Sequence, residues 1–116
     1  MADSVLRTKS KEFAKDIVFL CRKLKQNGVE SALINQLLRS GTSVGANVHE
    51  AQYAQGTKDF ISKLQIALKE CYETEYWLEL FVKANIVEEQ KVKTLLHDCG
   101  ELRRILVSSI TTLKNK

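Results

Sequence analysis

No proline occurs in the 116 residues, although average usage of about 5% would place roughly six. Proline interrupts helices and sheet ladders, so a chain without it is free to run in long regular elements. Only five glycines are present to supply turns. A strand-and-turn protein or a loop-rich disulfide scaffold needs more of both residues. The chain is therefore expected to be all-helical. Its length suits one compact domain, residues 1–116, with too little chain for two independent cores.

Three weak points divide it into four helical segments. Asn27-Gly28 suits the left-handed residue that ends a helix. At Gly56-Thr57, Thr57 can cap the segment that follows, with Asp59 placed favourably in its first turn. The third break lies around Asn85, before Glu88 and Glu89. Helices are predicted over Ser4–Gln26, Glu30–Gln55, Thr57–Ala84 and Glu88–Lys114. At 1.5 Å per residue each is about 30–40 Å long, the proportions of an antiparallel up-and-down bundle with short loops.

Projection at about 100° per residue gives each segment one apolar stripe. Leu6, Phe13, Ile17, Leu20, Cys21 and Leu24 form the first. Leu33, Ile34, Leu37, Leu38, Val44 and Val48 form the second. The third holds Phe60, Leu64, Ala67, Leu68, Cys71, Leu78 and Val82. The fourth holds Val92, Leu95, Leu96, Cys99, Leu102, Leu106, Ile110 and Leu113. Such stripes can each pack against two neighbours, which defines a four-helix bundle.

Several function classes find no support. Cys21, Cys71 and Cys99 are widely spaced, lie in the apolar arcs and read as core residues in a reduced intracellular setting. His49 and His97 lack a second ligand at metal spacing. The Glu-x-x-His pairs of di-iron bundles, the CxxCH haem motif, the P-loop and GxSxG are all missing. No catalytic residue, metal or cofactor is expected, and the chain is read as a non-enzyme. The N-terminal MADSVLRTKSKEF has no apolar core of a signal peptide. The longest strictly apolar run is Ile17 to Cys21, far below the ~20 residues of a membrane span. A cytoplasmic protein is expected.

Charge is more informative. Eighteen Lys+Arg against 14 Asp+Glu leave a net charge of +4 and a pI near 9.0, which permits an anionic partner without demanding one. Helix one carries seven Lys+Arg and two Asp+Glu. Arg7, Lys11, Lys15, Arg22 and Lys25 occupy an arc of about 80° beside its core stripe. This stripe can track phosphates. It can equally be a solvated face whose long side chains cover the core edge, the simpler reading, since no aromatic platform accompanies it. Tyr53, Tyr72, Tyr76 and Trp77 read as packing or interface residues.

Helix two contains an unusual run, Arg39-Ser-Gly-Thr-Ser-Val-Gly-Ala-Asn-Val-His-Glu50-Ala51. Gly41 and Gly45 each cost about 1 kcal/mol inside a helix, and on the apolar side they would let a neighbouring helix approach closely. Opposite them Arg39, Ser43, Asn47 and Glu50 form a polar stripe, expected to dock on another helix or subunit rather than to hold a ligand. In helix three Glu75 projects into the apolar arc. Either it is buried against Arg103 or Arg39, or the helix rotates and it reaches solvent.

Arg39-x-Ser-x-Ser43-Val44-x-Ala46-Asn47-Val48-x-Glu50-Ala51 resembles the signature of a bacterial four-helix-bundle family. That family was first described from open reading frames in intervening sequences of 23S ribosomal RNA genes. Asp59-Phe60, then Ile66-Ala67-Leu68-Lys69-Glu70-x-x-Glu73-Thr74-x-Tyr76-Trp77-Leu78, resembles its third helix. Ala51 stands where many members have glycine, so a weaker kink is expected after Glu50. The resemblance implies an antiparallel bundle assembling into a ring-like homo-oligomer, a pentamer. It extends to accessory proteins of diversity-generating retroelements, which implies a basic surface engaging nucleic acid and a reverse transcriptase. On this basis Arg39, Ser43, Asn47, Glu50, Glu70 and Glu73 are structural or inter-subunit groups.

Two functions are thus expected. One is an oligomeric RNA- or DNA-associated protein whose basic stripes repeat around a ring. The other is a structural or protein-interaction module without nucleic-acid binding. A ligand-binding or catalytic bundle would require a concave polar pocket around Glu75.

Overall fold

The structure is a computed structural model that describes residues 2–116, with side chains from Val5 onward. Four helices follow in order: α1 (Ala2–Gln26), α2 (Ser31–Ala51), α3 (Thr57–Lys83) and α4 (Glu89–Lys114). No strand occurs among the described residues. α1 lies against α2 and α4, and α3 lies against the same two helices, so the contacts close a cycle around one core. The molecule measures 48 × 21 × 19 Å, long in the direction of its helices.

The core is built from the stripes read in the sequence. Ile17, Leu37, Val44, Ala67, Cys71, Leu78, Val92 and Leu106 are wholly buried. Burying a large aliphatic side chain contributes roughly 1.5–3 kcal/mol, so the four stripes supply most of the stabilisation. Phe81 also belongs to the core, although the sequence reading leaves it out. Polar residues enter the core as well: Ser10, Ser40 and Thr74 are buried. Each hydroxyl donates to a carbonyl of its own helix, at Arg7, Leu37 and Glu70 respectively. Such bonds let a small polar residue occupy a buried site without an unmet donor.

The helix ends follow their local chemistry. Gly28 takes φ +79 and Asn85 φ +61, the left-handed conformation that glycine and asparagine adopt most readily. The predicted end of α2 at Gln55 is wrong; the helix stops at Ala51. Beyond it, the N–H groups of Gln52, Tyr53 and Ala54 donate to carbonyls only three residues back, which tightens the last turn. The Gln55 N–H then donates to the Asp59 carboxylate of α3 at 3.1 Å. Gly56 follows at φ +144. That conformation is closed to most residues, so it fixes the reversal even with alanine at position 51. Gly56, not Thr57, occupies the cap position, and Thr57 is already helical.

Candidate nucleic-acid interface

The two glycines of α2 determine how α1 sits. A Cβ on Gly41 would lie 2.8 Å from both γ-carbons of Ile17. On Gly45 it would lie 3.1 Å from the backbone carbonyl oxygen of Ser10. The expected close approach is therefore made by α1, and the propensity cost of two glycines is offset by backbone-level packing.

That packing opens a groove on the outside of the α1–α2 pair. It encloses about 540 Å³ and is lined by Arg7, Lys11, Thr42, Gly45, Ala46 and His49, among others. Small α2 residues make its floor and α1 cations its rim. The Thr42 hydroxyl, among the lining groups, donates to the Leu38 carbonyl at 2.7 Å. His49 and Tyr53 place their rings 5.5 Å apart in a tilted pair. Tyr53 is 75% exposed, which leaves a ring face open at the His49 end.

All five cations named from the α1 stripe are exposed. Arg7 and Lys11 line the groove, while Arg22 and Lys25 continue the same face toward the end of α1. Among the described side chains, none of these four meets a carboxylate within salt-bridge distance. Lys15 differs. Glu12 pairs with it, Asp16 lies 3.9 Å away, and the Glu12 carboxylate holds its pKa above the ordinary lysine value. Its charge is partly neutralised locally, so it adds less to the field of the stripe.

The residues of the polar network separate into three groups. On the α2–α3 seam, Arg39 reaches Glu70 at 3.5 Å and pairs more closely with Glu73. The Trp77 indole N–H donates to the same Glu73 carboxylate at 3.2 Å. Together Trp77 and Arg39 hold Glu73 below the usual carboxylate range. Farther along the seam, Glu50 meets Lys63 at 3.0 Å. Ser43 and Asn47 turn their side chains onto α2 itself, donating to the carbonyls of Arg39 and Ser43 at 2.6 and 2.9 Å. Arg39 and Glu50 of the polar stripe thus dock on α3 of the same chain, while Ser43 and Asn47 bond back to α2.

Glu75 stands apart from this seam. It is half-buried between α3 and α4, 3.6 Å from Arg103. The Arg103 guanidinium also lies over the Tyr72 ring, 5.9 Å from its centroid. Of the two readings the sequence left open, the structure takes an intermediate course: Glu75 is paired yet partly wet, and Arg39 is committed elsewhere.

The three cysteines are free and buried. Burial pushes the Cys21 thiol up to about 11. The Cys99 thiol donates to the Cys71 carbonyl at 3.3 Å, and contact with Cys99 together with burial raises Cys71 further. Cys21 and Cys71 are thus packed thiols, far from the nucleophilic form. Among the described residues no three His, Cys, Asp or Glu side chains gather as a metal site would require. Among the described residues no helix is long and apolar enough to cross a membrane.

Sequence reasoning missed Lys63 and Trp77 as seam partners, and it missed that Thr42 and His49 line one groove with the basic stripe, with Tyr53 against His49. Amphipathic projection treats each helix alone, whereas these meetings depend on which faces of two helices adjoin.

Fold and site together define a small all-helical bundle with a basic inter-helix groove and a polar α2–α3 seam. The sequence pattern of the 23S rRNA-intervening sequence protein family matches residues 2–108, and the chain belongs to that family. A similar solved structure is a protein of unknown function from the S23 ribosomal protein family of Bacteroides thetaiotaomicron. It is 45% identical, with a TM-score of 0.92, covering 96% of this chain and 99% of that one. No curated protein matches the sequence.

Proposed function

We propose that this chain is a non-enzymatic, nucleic-acid-associated protein. In this reading its helices run up and down, and copies assemble into a ring-like homo-oligomer, a pentamer in line with the family resemblance. The observation that carries the reading is the α1 face, where Arg7, Lys11, Arg22 and Lys25 are exposed and meet no carboxylate among the described side chains. Lys15, by contrast, is paired with Glu12, so the free charge of the face rests on the other four. Four cations per chain give modest affinity, and repetition around an oligomer multiplies it.

The support for assembly is separate. Tyr72 and Tyr76 stand one turn apart on α3, 51% and 56% exposed, and large aromatic rings of this kind are typical of the centre of an interface. The same two tyrosines support the second reading, a protein-interaction module without nucleic-acid binding.

A fluorescence-anisotropy titration with structured RNA, duplex DNA and single strands separates the readings. The charge-reversed variant R7E/K11E/R22E/K25E runs beside the parent, with light scattering to compare their assembly. Binding by the parent and loss of at least tenfold in the variant is the expected result. Equal binding by both would remove the α1 face from the reading, and no binding by a correctly assembled parent would remove the nucleic-acid reading and leave the protein-interaction one.

A further inference from the structure

We infer that the α1–α2 groove takes one single-stranded segment of nucleic acid, with phosphates on Arg7 and Lys11 and a base stacked on the Tyr53–His49 pair. This rests on the nucleic-acid reading above and adds to it which form is bound and where the bases go.

The groove supplies the two components that single-strand recognition needs, a charged track and an aromatic face. Arg7 and Lys11 are one helical turn apart, about 6 Å along α1, a step comparable with that between neighbouring phosphates of an extended strand. Gly45 and Ala46 form a floor without bulky side chains, so a sugar-phosphate backbone can lie close to α2. At the His49 end the chain leaves α2 through a tight turn rather than continuing the helix. That turn leaves the Tyr53 ring 75% exposed beside His49. Every base has a π-face, so such a pair stacks bases without reading their identity.

Shape argues against a duplex here. Packed helices have axes about 8–10 Å apart, less than the width of a duplex major groove alone, so a groove between them suits one strand better than a duplex. A duplex accepts protein in the reverse sense, by receiving a helix into its major groove of about 12 Å width. The α1–α2 pair presents a concave channel in place of such a convex reader.

The test uses the full chain with a fluorescent single-stranded oligonucleotide and a duplex of the same length, both at low salt. Variants are Y53A, Y53F, H49A and R7E/K11E. Tyr53 packs against little else, so circular dichroism and thermal unfolding of Y53A should match the parent. The expected result is single-strand preference, about tenfold weaker binding in Y53A, near-parent binding in Y53F, and loss in R7E/K11E. Parent-like binding by Y53A, or equal affinity for duplex and single strand, would overturn the groove assignment while leaving the basic-face reading in place. Failure of both probes to bind, or indifference to R7E/K11E, would overturn both.

Discussion

Gly41 shows how one missing methyl sets the spacing of two helices. Its absent Cβ is where Ile17 sits, and the near atoms are the γ-carbons on the branched β-carbon, which cannot swing aside. Gly41→Ala gains up to about 1 kcal/mol of helix propensity but incurs about 1–3 kcal/mol of overpacking. The net expectation is a loss of roughly 1 kcal/mol in a urea titration. In an Ile17→Ala background, where the obstructing carbons are gone, the same substitution should become neutral or stabilising. A stable single variant would mean that α1 and α2 are held apart by something other than this contact.

At the scale of elements, the α2–α3 seam is an electrostatic joint with its own optical reporter. Trp77 is the chain's only tryptophan, and its indole N–H rests on Glu73, which Arg39 also pairs. Because Glu73 titrates below the ordinary carboxylate range, its ionised form stabilises the folded state. That contribution is complete above the unfolded value of about 4.3 and is lost as pH falls through the lower folded value. Parent and Glu73→Gln should therefore differ in stability by a constant amount near neutrality, with the parent more stable, and converge below about pH 4. Tryptophan fluorescence during denaturant unfolding at several pH values checks this. A gap independent of pH would show that Glu73 acts through packing alone.

The same scale shows what was legible in the sequence. Apolar stripes of period 3.6 placed all four helices, because each stripe is a property of one helix. Asn27-Gly28 and Asn85 marked true ends, since the φ they need is written in the residue type. The end of α2 was not legible, because its last turn tightens at residues 52–54, before Gly56, with no breaker residue to announce it. Arg39, Glu70 and Glu73 could be suspected from the resemblance, but their meeting follows only once α2 and α3 adjoin. Likewise Tyr53 looked remote from the α1 stripe until the register set at Gly41 and Gly45 brought His49 beside Arg7.

For the whole molecule, the α1 cations and the exposed Tyr72–Tyr76 pair lie on different helices, α1 and α3. An assembly through α3 would leave α1 free, so reversing the α1 charges should leave the oligomeric state unchanged. Tyr72→Asp with Tyr76→Asp should lower the mass measured by light scattering while leaving the helix content intact. An unchanged mass would move the interface away from α3. Weaker nucleic-acid binding should accompany disassembly through lost avidity, even though no α1 residue has changed.

The central claim is that the α1 cations meet phosphates, and the salt dependence of binding tests it most directly. Log affinity for a single strand, measured by anisotropy against log salt concentration, should fall with a slope of about −2.8 if all four cations of one chain take part. Reversing Arg7 and Lys11 should reduce that slope by about half or abolish binding. A slope near zero, or one that the reversal leaves unchanged, would contradict the claim that the α1 cations meet phosphates.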